Sequence, residues 1–370
     1  MLAALTALAL TAGSALAEPA VVDVCRITDQ RLAELSGLAS SGDEWFAVND
    51  SDNGRVEVQV LDRTCRITRT IRAATNPFDV EDLALAPDGT LWLADTGDNG
   101  RSRETVALHA VSPDGAVRLY RLTYPDGEHD AEALLLDAAG VPHVVTKETL
   151  GSPLVYRPVR ELDEAAPTPM EQVAKVGISG SDTPGGPVRS SVVTRVVTGG
   201  AMSADGAVAA LRTYTDAYLF PVTGGDLAKA LGSDPVRVPL PDEAQGEAIA
   251  FEPDGTLLSA SEFGERGVDS AVRAVAGATA RAAPAPTTTP PAPTTRDEDD
   301  PVGDPAAAAP ADGDRPLWPV VGAGAAALAR MGAAGPPPPP TPGLTAPAQS
   351  LRRTATTLPR IDASSPRMGW

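Results

Sequence analysis

Three glutamates, Glu81, Glu132 and Glu247, each stand eight residues before a turn glycine, Gly89, Gly140 and Gly255 respectively. Carboxylates at one offset in a repeated unit converge when the units close about a common axis. A cluster of their oxygens suits a hard cation such as calcium, which takes six to eight oxygen ligands. A second polar column follows the same turns as Asn49-Asp50, Asp95-Thr96, Thr146-Lys147, Arg212-Thr213 and Ser261-Glu262. From it, Asp50 and Asp95 join the three glutamates as candidate metal ligands, and Asn49, Lys147, Arg212 and Glu262 are candidate ligand-facing residues. Two plainer readings stand beside these. The loops NDSDNG (Asp50, Asp52) and ADTGDNG (Asp95, Asp98) have the composition that turn chemistry alone selects. The glutamates also suit a ring of ion pairs with Lys147 or Arg212.

No catalytic residue is identifiable. None of His109, His129 and His143 has a partner at metal-ligand spacing, although His129 and Asp130 just before Glu132 keep acid–base chemistry open there. Ser36 lacks a nucleophile-elbow pattern, the acidic loops lack helix-loop-helix calcium spacing, and there is no phosphate-cradling glycine loop.

The elements that would position these residues are hairpins. Turn signatures recur at Ser36, Glu81, Glu132, Thr198 and Glu247, and the glycines Gly42, Gly89, Gly140, Gly206 and Gly255 lie 47, 51, 66 and 49 residues apart by subtraction. Each unit runs from an apolar strand through a Pro-Asp-Gly-like turn into a second apolar strand, at a period that suits about four short strands. The expected fold is an all-β closed β-propeller, of five blades or alternatively six. The long interval contains GISGSDTPGGPVRSS, read as one loop or as a degenerate sixth blade. VVDVCRIT is placed to complete the last blade and remove an exposed sheet edge. Both polar columns then fall at one end of each hairpin and ring one mouth of the central channel.

The apolar run in MLAALTALALTAGSALAEPA ends at a small-residue site before Glu18, so residues 1–17 read as a signal peptide, with a buried N-terminal helix as the alternative. Cys25 and Cys65, each in the tetrapeptide Cys-Arg-Ile-Thr, suit one disulfide in an exported chain, or two buried thiols. Thirty basic residues against 49 acidic ones give a formal charge of −19, which argues against a nucleic-acid partner. The propeller is expected over residues 18–275. A disordered Pro/Thr/Asp-rich linker is expected over 276–316, a short apolar segment over 317–329, and a Pro-rich disordered tail over 330–370. The apolar segment is shorter than the roughly 20 residues that span a bilayer. It reads as the remnant of a membrane anchor, leaving the protein secreted or at the cell surface.

At DVEDLALAPDG, HDAEALLLDAAG and QGEAIAFEPDG the chain resembles secreted phytase-like and esterase-like propellers, and more distantly the gluconolactonase and senescence-marker family. VNDSDNG, ADTGDNG and RTYTDAYLF are similar to exported actinobacterial propellers. The resemblance spans about residues 30–265 and implies that Glu81, Glu132 and Glu247 are calcium ligands or substrate-facing acids. Against phytase activity itself, the two columns offer only Lys147 and Arg212 to a polyphosphorylated ring.

Two functional classes follow. One is a non-catalytic envelope propeller binding a protein, glycan or cation through its acidic mouth. The other is a calcium-assisted hydrolase of an ester, lactone or phosphoester, in which Asp50 or Asp95 activates water.

Overall fold

The computed structural model describes residues 20–50, 54–263 and 270–282. The expected signal peptide, Asp52, the linker beyond residue 282, the apolar segment 317–329 and the tail lie outside the described residues. The described residues all belong to one compact unit.

Strand β1 (Val21–Ile27) comes first. A meander follows of β2 (Leu35–Ser40), β3 (Trp45–Asn49), β4 (Val56–Leu61) and β5 (Ile67–Ala73). The next contains β6 (Val80–Leu85), β7 (Leu91–Asp95), β8 (Val106–Val111) and β9 (Val117–Thr123). A third has β10 (Ala131–Leu136), β11 (Pro142–Thr146), β12 (Leu154–Pro158) and β13 (Thr168–Lys175). A fourth has β14 (Val197–Met202), β15 (Val208–Thr213), β16 (Asp216–Pro221) and β17 (Val236–Pro239), with the short helix α1 (Leu227–Leu231) between its last two strands. The chain then forms β18 (Gly246–Phe251), β19 (Leu257–Ser261) and β20 (Ser270–Val275), and ends its described part in helix α2 (Ala278–Ala282).

All pairings within these groups are antiparallel, and β1 pairs with β20 to complete the last sheet in the order β1-β20-β19-β18. A two-residue parallel pairing of β13 with β9 merges the second and third meanders into one eight-stranded sheet. The arrangement is propeller-like. The inner strands touch in a ring, β2 to β6, β6 to β10, β10 to β14, β14 to β18 and β18 back to β2. The turn glycines of all five hairpins adopt φ between 68° and 92°, a region closed to most side chains. No strand forms over residues 176–196, the GISGSDTPGGPVRSS interval.

Five buried apolar clusters each lie between two neighbouring groups. One joins Leu35 and Trp45 to Ala248 and Leu258, bridging the last group and the first. The others join Val58 to Leu83, Leu108 to Leu134, Leu135 to Leu211, and Leu219 to Ile249. Each fully buried aliphatic side chain contributes about 1.5–3 kcal/mol, whereas an exposed pair such as Arg157–Glu171 contributes at most about 1 kcal/mol. Packing between groups therefore holds the ring.

Cys25 in β1 and Cys65 in the β4–β5 turn form a disulfide with Cα atoms 5.8 Å apart, linking the last sheet to the first. Packed structure continues past Val275, where composition suggested that a linker begins. Ala278 and Ala282 are buried in α2 beside β16, and alanine-rich sequence carries neither turn nor polarity signals to reveal that.

Candidate functional site

A β-bulge falls at the same place in every inner strand. Register shifts occur between Leu35 and Gly37, Val80 and Asp82, Ala131 and Ala133, Val197 and Gly199, and Gly246 and Ala248. The skipped residues are Ser36, Glu81, Glu132, Thr198 and Glu247, the first polar column. A bulge leaves its extra residue unpaired and re-aims its side chain. The preceding residues pair with Asn49, Asp95, Thr146, Thr213 and Ser261 of the second column, so both columns share one end of the hairpins. Where the bulged residue is short, it ties neighbouring strands: the Ser36 hydroxyl donates to the Val80 carbonyl at 2.9 Å and that of Thr198 to the Gly246 carbonyl at 2.8 Å.

The three glutamates are buried, none more than 6% exposed. One oxygen from each of Glu81, Asp130 and Glu132 lies within 4.8 Å of the others, a grouping able to hold a metal ion. Lys147, just past β11, donates to Glu132 Oε1 and stands 5.8 Å from the Tyr214 ring. Glu132 Oε2 is buried with no hydrogen-bond partner. Burial, followed by the charge of Glu132, pushes Glu81 and Glu247 well above the usual carboxylate range. Burial also raises Glu132, against the pull of Lys147. Asp79 is raised by burial and by Asp130. Lys147 is held protonated: burial disfavours its charge, but Glu132, Tyr214 and Glu247 outweigh that. An excess of confined negative charge around one ammonium is the chemistry of a cation site.

Asp50 and Glu262 belong to the same field. Burial, then the charges of Glu34 and Asp79, push Asp50 up to about 6. Burial and the charge of Asp50 push Glu262 up to about 7, while Gln245 Nε2 donates to Glu262 Oε1 at 2.6 Å. Asn49 turns its Oδ1 to the Glu34 amide at 2.9 Å, fixing the loop that carries Glu34.

Two candidates have other commitments. Asp95 accepts from the amides of Phe78 and Asp79, from Arg103, and is bonded to His109 Nε2, all at 2.9–3.1 Å. Burial works against its ionisation, but His109, Arg103 and the two amides hold it below the usual carboxylate range. It positions the Asp79 segment and has little capacity left for a metal. Arg212, expected to face a ligand, is fully buried; it donates to Glu243 and to Ser259 Oγ. Its partner Glu243 lies in a loop 31 residues away, beyond any local pattern.

Glu34, Asp79, Asp130 and Gln245 all lie two positions before the bulge. Of these, Asp130 was expected only as an acid–base candidate and the other three were missed, although the recurring acid-x-Glu of Asp79-Val80-Glu81 and Asp130-Ala131-Glu132 was an available signal. Asp82 was missed as well. It is wholly buried and accepts from the amides of Leu83, Leu134 and Gly200 at 2.8, 2.7 and 3.0 Å, pinning three inner strands to one carboxylate. Burial drives it well above the usual range, partly offset by those three donors.

No family model matches the chain, and no curated protein matches it. Among solved structures it is similar to the PQQ-bound form of an aldose sugar dehydrogenase from Streptomyces coelicolor, at 12% identity and a TM-score of 0.39, covering 70% of this chain and 98% of that one. A putative 6-phosphogluconolactonase from Bacteroides uniformis is 16% identical with a TM-score of 0.34, covering 61% and 64%. A putative gluconolactonase is 14% identical with a TM-score of 0.34, covering 62% and 70%.

Proposed function

We propose that this chain is a five-bladed propeller over about residues 18–282 whose acidic mouth holds a hard divalent cation, calcium by preference, and hydrolyses an ester, lactone or phosphoester there. The observation that carries the reading is the buried, unpartnered Glu132 Oε2 inside the Glu81–Asp130–Glu132 grouping. A buried acceptor left unpaired costs about 1–3 kcal/mol, and a bound cation removes that penalty. Asp79 and Glu247 supply further oxygens to the same field.

When bound, the ion would polarise the substrate oxygen and make water more acidic. The chain's own residues do the rest. Asp50, with its pKa near 6, is ionised at neutral pH and basic enough to take a proton from water; burial and the charges of Glu34 and Asp79 give it that basicity. The water oxygen bonds to the acyl carbon or phosphorus, the bond to the leaving oxygen breaks, and the proton taken by Asp50 passes to that oxygen, giving acid and alcohol.

One observation favours a non-catalytic binder of a protein or glycan instead: Lys147 already pairs with Glu132, so the mouth can be neutralised without a metal. Calorimetric calcium titration, followed by hydrolysis of nitrophenyl esters and phosphates with and without chelator, decides between the two. Calcium binding with chelator-sensitive turnover supports the hydrolase, and calcium binding without turnover supports the binder. Export to the cell envelope belongs to the same proposal. The disulfide is compatible with it, and among the described residues no helix is long and apolar enough to cross a membrane.

A further inference from the structure

We propose that Phe78 selects uncharged ligands carrying an aromatic or other apolar group at this mouth, so that, on the hydrolase reading above, the substrates are neutral esters rather than phosphoesters. Phe78 immediately precedes Asp79 and is 67% exposed, and a lone exposed apolar side chain is by itself unremarkable. What sets this one apart is how it is held. Its amide donates to Asp95 Oδ2 at 3.1 Å, and the Arg103 guanidinium lies 4.6 Å from its ring centroid. Arg103 is itself fixed, only 11% exposed, by bonds to Asp95 Oδ1 at 2.9 Å and to the Gly97 carbonyl at 2.7 Å. A ring held before the ligand arrives loses little rotamer freedom on contact, and most of its apolar surface is free to accept a flat or aliphatic group. Leu150, three residues after Lys147, is 78% exposed and adds a second apolar side chain to the loops that follow the mouth residues.

Charge selects in the same direction. Asp50, Asp79, Glu81, Glu132, Glu247 and Glu262 all feel the charge of Lys147, and Asp79 also that of Arg103; both cations are already committed, to Glu132 and Asp95. Apart from the ion itself, a phosphate group approaching these carboxylates is repelled and finds both of these cations already paired. An uncharged acyl or aryl ester meets no such barrier.

Two readouts test this on the calcium-loaded protein. Binding of 4-nitroacetanilide, an uncharged amide that resists hydrolysis, is followed by saturation-transfer NMR, with phenyl phosphate as the anionic counterpart. Turnover is followed with 4-nitrophenyl acetate and 4-nitrophenyl phosphate. The expected result is anilide binding by the wild type, weakened about tenfold by Phe78→Ala and retained by Phe78→Tyr, with a raised KM and little change in kcat for the acetate. Phenyl phosphate binding as tight as that of the anilide, or anilide binding that Phe78→Ala leaves intact, overturns the proposal. Anilide binding that depends on Phe78 but without turnover of either ester supports the selection and removes the hydrolase reading.

Discussion

The carboxylate of Glu81 occupies the space that a side chain on Gly97 would need. A Cβ built there collides with Glu81 Oε1 and with the Asp79 carboxylate, so the backbone after β7 forms a wall against which both acids are set. Gly97→Ala should push the two carboxylates off their places. The expected outcome is a loss of calcium affinity of about tenfold or more, read by calorimetry, with a far-ultraviolet spectrum unchanged from the wild type. Unaltered affinity would mean that neither acid contacts the ion.

Lys147 and calcium should compete for the same carboxylates. Removing one partner of a buried ion pair costs about 3–5 kcal/mol, so Lys147→Met should melt well below the wild type without cations and regain more than the wild type does on adding calcium. Glu132→Gln should lose most of the calcium-dependent rise in melting temperature. If Lys147→Met is stabilised by calcium no more than the wild type, the lysine is a structural bridge and the ion binds elsewhere.

Stability should fall as pH rises from about 4 to about 7 in cation-free buffer. Asp50 and Glu262 hold their protons to about 6 and about 7 in the folded chain, against ordinary carboxylate values near 4. Across that window the folded state therefore binds more protons than the unfolded state, and ionisation works against folding. Asp95, shifted downward, acts with the opposite sign, but only below about 4. Chelator-treated protein should melt higher at pH 5 than at pH 7.5, and calcium should narrow the gap. A melting temperature that climbs with pH over this range would contradict the assigned field.

If Asp50 takes the proton from water, Asp50→Asn should lower kcat for a nitrophenyl ester by about 10²-fold or more while calcium affinity falls far less. The wild-type rate should rise with pH through about 6. A variant that keeps its rate would move the base to Glu262.

Asp82→Asn should destabilise the fold by about 1–3 kcal/mol, because an amide offers one acceptor oxygen where the carboxylate serves Leu83, Leu134 and Gly200 with two. Urea denaturation measures this directly. No loss would mean that one oxygen suffices for the three amides.

Much of the architecture was legible because its determinants are local. Pro-Asp-Gly-like turns specify hairpins from four adjacent residues, and the return of β1 to β20 follows from an unpaired strand at each end of the repeat. The glutamate column was legible for the same reason, since an offset from a turn is a count along the chain. The bulge that aims Glu81, Glu132 and Glu247 was not, because a register shift belongs to a pair of strands and leaves no mark on either alone. Asp95 illustrates a different limit. Its loop composition fitted a ligand and a turn equally well, and only the bonds from Arg103, later in the same loop, and His109, on the neighbouring strand β8, separate them. Arg212 was misplaced because the acid that buries it, Glu243, comes from a distant loop.

The pairing of β1 with β20 also imposes an order on how the molecule is made. Val21 waits for Val275, and the Asp82 carboxylate waits for Gly200, 118 residues later. A chain emerging residue by residue can form each hairpin as it appears, yet it cannot close the circle until nearly the whole repeat has been synthesised. Until then the strands at both ends expose unpaired amides and carbonyls, the condition in which β-rich chains aggregate. The Cys25–Cys65 bond needs only the first 65 residues. It can fasten β1 beside the first meander while the rest is still being made, and so hold in place the strand that the last sheet will need.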